Sequence, residues 1–339
     1  MPIESQTNKP FVSVILPVRN ESNNIRSVLD SILAQEFPKE KIEVIVADGM
    51  SGDETRKIVG DYQQAHKNIH LIDNTGKIVP SGLNVAILQA KGDIIIRVDG
   101  HTLIAPDYVK NCVETLRRTE ADNVGGCMTA VGTTAFGKAV AIATSVPFGV
   151  GNSRFHYSDT EEEVDSVYMG AWPSDVFKKI GLFDEEMVRD QDDEFNYRLR
   201  EKGGKIILNP VIKSVYTVRS SPGLLFKQYF QYGYWKVRVL QKHPRQMSPR
   251  QFIPPLFVLG LIAALIMAMI IKWGWLFLIA YTGLYLVANL AFSLITAFQK
   301  GWKYFWLLPL AFTTIHVSYG SGFLVGLLKF WDRWNVKVA

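Results

Sequence analysis

Between residues 11 and 98 the chain alternates short apolar runs with stretches whose apolar positions recur every three or four residues. Residues 12–18, 42–47, 69–72 and 94–98 are rich in Val, Ile and Leu over the length of a strand, the composition of strands buried on both faces. Residues 23–35 place Ile25, Val28, Leu29, Ile32 and Leu33 on one helical face, and residues 81–90 are helical in pattern too. Strands alternating with helices predict an α/β domain with a largely parallel sheet. In such a sheet the loops that carry chemistry sit at the carboxyl ends of the strands. Arg19-Asn20-Glu21, Asp48-Gly49 and Asp99-Gly100-His101 all fall there.

The pattern then changes. Residues 130–165 are rich in Gly, Thr and Ser and end in acids, which reads as a long functional loop or flap. Residues 221–243 interleave Phe226, Tyr229, Phe230, Tyr232, Tyr234 and Trp235 with Lys227, Lys236, Arg238 and Lys242. That mixture suits a helix lying in a membrane interface, with rings at headgroup depth and cations on phosphates, or else an ordinary packed helix. Residues 252–271 and 273–298 carry no charge and are long enough to cross a bilayer, forming a hairpin with Trp273 and Trp275 at its outer turn. Residues 306–328 are apolar but contain His316 and several hydroxyls; they either span or are re-entrant, and His316 reads as a structural polar group. These shifts divide the chain into a catalytic region 1–216, an interface helix region 217–251 and a membrane region 252–339.

Charge sharpens the division. Residues 1–201 carry 21 Lys+Arg against 31 Asp+Glu, net −10; residues 202–339 carry 16 against one, net +15. The basic half predicts an anionic partner, and with the apolar stretches that partner is the lipid surface rather than nucleic acid. The basic turn around Lys300 and Lys303 orients the hairpin with that side inward. The polar start of the chain contains no signal-peptide core, so the expected location is a multi-pass protein of the inner (cytoplasmic) membrane, its catalytic region cytoplasmic. Only two cysteines, Cys112 and Cys127, exclude a disulfide framework.

Three clusters carry candidate chemistry. Asp99 and His101 offer a carboxylate and an imidazole two residues apart after a very apolar strand, a donor set for a divalent cation bridging a diphosphate: Mg2+ or, with the softer imidazole, Mn2+. An Asp-Gly turn is the plainer reading. Asp48 could accept hydrogen bonds from a base or ribose, while Ser51 or Asp53 caps the following helix. Asp190-Gln191-Asp192-Asp193-Glu194 packs four carboxylates into a first helical turn, which favours the helix dipole and also raises at least one pKa toward that of a general base.

Together these clusters resemble inverting family 2 glycosyltransferases of the GT-A fold, from Val12-Ser13-Val14-Ile15-Leu16-Pro17-Val18-Arg19-Asn20-Glu21 to about Pro244. Pro147-Phe148-Gly149-Val150-Gly151-Asn152-Ser153, residues 189–194 and residues 228–235 resemble in particular the membrane glycosyltransferases of succinoglycan-type exopolysaccharide assembly. The resemblance implies a Rossmann-like mixed sheet that binds a nucleotide-diphospho-sugar. Pro17, Arg19, Glu21, Asp48 and Asp99 would hold the donor, and Asp99 and His101 the metal. Asp192 would be the base, with Asp193 and Glu194 as rivals, and Gln231 and Trp235 would cap the donor and line the acceptor site. His101 replaces the second acid of the family's DxD motif. The implied reaction moves a sugar, from a UDP-sugar, to a polyprenyl-diphosphate-linked saccharide with inversion. Transfer to polyprenyl phosphate, processive polymer synthesis and non-catalytic nucleotide-sugar binding are the alternatives. A dinucleotide-dependent oxidoreductase is disfavoured, since no Gly-x-Gly-x-x-Gly follows the first strand.

Overall fold

The computed structural model describes residues 9–334; most of the polar start of the chain, residues 1–8, and the last five residues lie outside the described part. The chain divides into two units, one made of Met1–Thr129 and Tyr157–Tyr216, the other of Ala130–His156 and Thr217–Ala339.

The first unit is a mixed sheet with helices. In chain order it contains β1 (Val12–Val18), α1 (Ile25–Leu33), β2 (Ile42–Asp48), α2 (Thr55–Ala65), β3 (Ile69–Asp73), α3 (Val79–Gln89), β4 (Ile94–Arg97), β5 (Thr102–Ile104), α4 (Tyr108–Thr119) and β6 (Asn123–Val131). After an excursion of the chain into the second unit, through α5 (Ala135–Ala143) and α6 (Pro147–Val150), come β7 (Glu162–Glu163), β8 (Tyr168–Pro173), α7 (Asp175–Ile180), α8 (Gln191–Glu201) and β9 (Ile206–Thr217). The strand order is β3-β2-β1-β4-β8-β6-β9-β5, with β7 on β9. β1 to β4 run parallel, and β8 joins β4 antiparallel. All seven residues of β1 and of β2 are buried, which is why their sequences are nearly continuous apolar runs. The face predicted for α1 is the one it buries: Ile25, Val28, Leu29 and Ile32. The β1–β2 register pairs Val18 with Asp48, so the loops that follow the two strands begin side by side.

The second unit is helical. α9 (Pro222–Lys242), α10 (Ile253–Ile270), α11 (Gly274–Lys300) and α12 (Leu308–Lys329) join α5 and α6. Three helical stretches, Pro249–Ile270, Gly274–Lys300 and Trp302–Lys329, are long and apolar enough to cross a membrane. α10 and α11 leave most of their large apolar side chains exposed, whereas α12 buries Leu308, Ala311, Phe312, Ile315 and Phe323. Glycines permit that burial: a Cβ on Gly322 would lie 2.0 Å from the Phe230 carbonyl oxygen, and one on Gly233 2.0 Å from that of Tyr319, so α9 and α12 meet backbone to backbone.

Two expectations are corrected here. Residues 130–165 are not one long loop: Phe136, Ala139, Val140 and Ala143 recur at helical spacing and form the buried side of α5, capped where the Thr134 Oγ1 accepts from Gly137 N at 3.0 Å. The Gly- and Thr-rich flanks disguised that period. The cations of α9 also do not form one phosphate-facing row. Lys227 is exposed, but Lys236 and Arg238 are buried, and the Arg238 guanidinium lies over the Phe330 ring, 5.6 Å from its centroid. Long cationic side chains here pack along their stems, as amphipathic side chains do.

α6 is held among the apolar helices of its unit. The Phe148 ring stacks on Phe292 at 4.1 Å and meets Phe312 and His316 edge-on. His316 lies on α12 with its Nε2 2.8 Å from the Phe148 carbonyl oxygen and its Nδ1 3.1 Å from the Tyr285 hydroxyl. Asn289 donates to Thr313 Oγ1 and to the Pro309 carbonyl. His316 and Asn289 thus find polar partners within their own unit, as polar groups in an apolar setting require.

Candidate active site

The carboxyl ends of β1, β2 and β4 supply most of the site. The loops after β1 and β2 are stitched together: Asn20 N donates to Ser51 Oγ at 2.8 Å, Gly52 N to Asn20 Oδ1 at 2.9 Å, Glu21 N to Thr55 Oγ1 at 2.8 Å and Ser22 N to Asp53 Oδ2 at 3.1 Å. Asn20 and Met50 both take the left-handed conformation, φ 56°. The loops pass closely at Gly49, where a Cβ would lie 3.2 Å from Arg19 Cβ and 3.3 Å from the Val18 carbonyl oxygen. Arg19 in turn donates to the Lys77 carbonyl at 3.2 Å, and Pro17 is buried at the end of β1. The Thr55 hydroxyl and amide, with Ser22, lower the Asp53 pKa to about 2.

Asp48 is fully buried, and its carboxylate is engaged inside the protein. Ser51 donates through Oγ at 2.5 Å and through N at 3.0 Å, and Arg56 Nη1 through a 2.8 Å bond. Arg56 also reaches Asp73 at 2.7 Å, tying the ends of β2 and β3 together. Asp48 therefore shapes the loop of residues 49–52.

At the end of β4, the buried Arg97 donates from Nε to Asp99 Oδ1 at 2.8 Å, while its Nη1 is buried without a hydrogen-bond partner. Burial alone would raise the Asp99 pKa; the Arg97 guanidinium, with His101 beside it, holds it below the ordinary carboxylate value. Burial would lower the Arg97 pKa, and the charges of Asp99 and then Asp192 more than offset it. Arg97 is thus a fixed cation in the field of both acids. His101 Nδ1 lies 3.4 Å from Glu21 Oε1, and its ring is 5.5 Å from that of Tyr216. Gly100 keeps this loop against β1: a Cβ there would lie 2.9 Å from Val18 Cγ1.

α8 supplies the acidic cluster. Its N-cap, Asp190, is left-handed with φ 57°, which turns the chain sharply into the helix. Asp192 and Asp193 are half-buried, and Asp193 N donates to Asp192 Oδ1 at 3.1 Å. Glu194 differs. It is 3% exposed, and Arg198 grips both its oxygens at 3.0 Å each while donating also to the Ile180 and Leu182 carbonyls. That geometry makes Glu194 a bracing group.

The first unit thus brings together Pro17, Arg19, Glu21, Asp48, Asp99, His101 and Asp192. Gln231 and Trp235 stand on α9 of the second unit, both half-buried, with the Trp235 ring 5.7 Å from that of Phe330. Arg97 is the contributor that the sequence reading passed over; its signal was a lone charge inside an otherwise apolar strand. Among the described residues no three His, Cys, Asp or Glu side chains cluster as a metal cage. Asp99 and His101 are two donors, which fits a hard cation that takes its remaining ligands from a diphosphate.

A parallel sheet with these loops at its carboxyl ends, extended by antiparallel strands and an acidic helix, has the GT-A fold. Residues 13–173 match the model of Glycosyl transferase family 2. The succinoglycan biosynthesis protein ExoA of Rhizobium meliloti is 28% identical over 322 residues, 94% of this chain and 96% of the relative. A dolichyl N-acetyl-α-D-glucosaminyl phosphate 3-β-D-2,3-diacetamido-2,3-dideoxy-β-D-glucuronosyltransferase of Methanococcus voltae is 27% identical over 327 residues, 94% and 98% of the two chains. In fold, the chain is similar to a mannosyltransferase of Pyrobaculum calidifontis solved with GDP-Man and Mn2+, with TM-score 0.61 and 21% identity over 97% of this chain and 89% of that one. It is likewise similar to S. aureus TarS in complex with UDP-GlcNAc, with TM-score 0.51 and 19% identity over 95% and 91%.

Proposed function

We propose that the protein is an inverting glycosyltransferase that moves a sugar from a nucleotide-diphospho-sugar, a UDP-sugar in the first instance, to a polyprenyl-diphosphate-linked saccharide during exopolysaccharide or cell-surface glycan assembly. The observation that carries this reading is Arg97, a buried cation that feels both Asp99 at the end of β4 and Asp192 at the start of α8. It stands as one fixed cation beside the acid assigned here to the donor and the acid assigned here as the base.

In this reading the loops of residues 19–22 and 49–52 frame the nucleoside, with Asp48 setting their shape. Asp99 and His101 would hold Mg2+ or Mn2+, which when bound would supply positive charge to the diphosphate. Asp192 takes the proton of an acceptor hydroxyl. The freed oxygen attacks the anomeric carbon from the face opposite the leaving nucleoside diphosphate. One displacement inverts the anomer, so an α-linked donor gives a β-linkage. Gln231 and Trp235 act on the acceptor side. The three long apolar helices seat the protein in the inner membrane with its catalytic unit cytoplasmic. Similarity over nearly the full length to a relative named for a dolichyl phosphate-linked sugar supports a lipid-linked acceptor.

The test offers the purified protein a panel of nucleotide sugars with Mg2+ or Mn2+, against polyprenyl-diphosphate saccharides and bare polyprenyl phosphate, read by mass spectrometry. One sugar added to the saccharide acceptor is expected. Addition only to bare polyprenyl phosphate, or no transfer to either acceptor, sinks the proposal.

A further inference from the structure

Resting on the nucleoside-diphosphate reading above, we propose that Glu21 is a positioning residue that fixes the tautomer of His101 and so presents one ring nitrogen, Nε2, to a divalent cation. An imidazole binds metal only through a nitrogen that carries no proton, and the partner of the other nitrogen decides which one that is. Here Nδ1 faces Glu21 Oε1 at 3.4 Å.

Glu21 is itself held. Its Oε2 accepts from Asn24 Nδ2 at 2.9 Å, and its backbone N is fixed on Thr55 Oγ1 at 2.8 Å. The missing side chain at Gly100 lets the two loops close up, since a Cβ there would lie 3.2 Å from Glu21 Cγ. The Tyr216 ring, tilted 59° at 5.5 Å, flanks the imidazole. With Nδ1 turned to the Glu21 carboxylate, Nε2 is the nitrogen left for an incoming ion. A carboxylate behind a metal-binding histidine is a recurring arrangement, and its loss typically costs 10–100-fold in metal affinity. The nitrogen donor tilts the site toward Mn2+ over Mg2+. Arg97 beside Asp99 opposes a bare cation, so the ion enters with the diphosphate.

The experiment uses the full chain in detergent or nanodiscs, loaded with Mn2+ together with UDP or GDP. Pulsed electron paramagnetic resonance reads nitrogen coupling to Mn2+, and titration reads Mn2+ affinity. Wild type is expected to show nitrogen coupling that disappears in His101→Asp while Mn2+ stays bound. Glu21→Ala is expected to weaken Mn2+ binding by about 10-fold or more, and Glu21→Gln, which keeps an acceptor for Nδ1–H, to retain most of it. Mn2+ and nucleotide bound without nitrogen coupling, or Glu21→Ala binding Mn2+ like wild type, overturns the proposal and leaves the glycosyltransferase reading standing. Failure of both UDP and GDP to bind removes the two together.

Discussion

At the scale of single residues, three carboxylates within three positions of α8 have different surroundings, and their substitutions should part accordingly. Asp192→Asn should lower kcat by about 100-fold or more, the usual range for losing a general base, with nucleotide affinity preserved in a calorimetric titration. Glu194→Gln should act on stability instead, because it leaves the part-buried Arg198 without its bidentate partner; a loss of about 3 kcal/mol is expected, seen as an earlier thermal unfolding transition. Asp53 gives the pH dependence its sign. Its pKa in the folded protein lies near 2, below the ordinary 3.8, so its contribution is complete above the higher value and fades only as pH falls toward the lower one. Nucleotide binding between pH 5 and 8 should therefore show no Asp53 titration, and Asp53→Asn should weaken binding by the same factor throughout that range. Asp99, His101 and Asp192 stood out in the sequence because acids after an apolar strand or in a first helical turn are locally visible. Arg97 and the closure of Arg198 on Glu194 were not, because their meaning depends on what the tertiary fold sets beside them.

At the scale of elements, the parallel strands were legible because burial on both faces leaves an uninterrupted apolar run, as in β1 and β2. The antiparallel half was less so: β5 spans three residues and β7 two, too short for any period to register. α9 showed its aromatic and basic character plainly, yet its partner was hidden, since a helix packed on glycines and a helix lying in an interface share much of their composition. The packing can be tested directly. Gly233→Ala and Gly322→Ala each place a methyl 2.0 Å from a carbonyl oxygen of the facing helix, and overpacking of this kind costs about 1–3 kcal/mol. Gly223→Ala, at a position with nothing within 4 Å, is the control and should be neutral or slightly stabilising. Protease resistance and thermal inactivation of the detergent-solubilised protein would rank the three.

At the scale of the whole molecule, the net charges of −10 and +15 along the two stretches of sequence imply two kinds of membrane attachment that salt can separate. Raising ionic strength should weaken attraction of the basic stretch to anionic headgroups, while the apolar helices retain the protein in the bilayer. Sedimentation after a high-salt wash should leave it in the pellet, and its release would refute the spanning assignment. The boundary between the units follows the sequence only in part, because residues 130–156 interrupt the sheet-forming sequence yet belong with the helices. That segment has a consequence in time. Phe148 is synthesised 168 residues before His316, its partner on α12. At about 5–20 residues per second, α6 waits roughly 10–30 s on the ribosome before that partner exists. Until then the Phe148 ring lacks its partners on α11 and α12, and α12 is the helix that completes its enclosure.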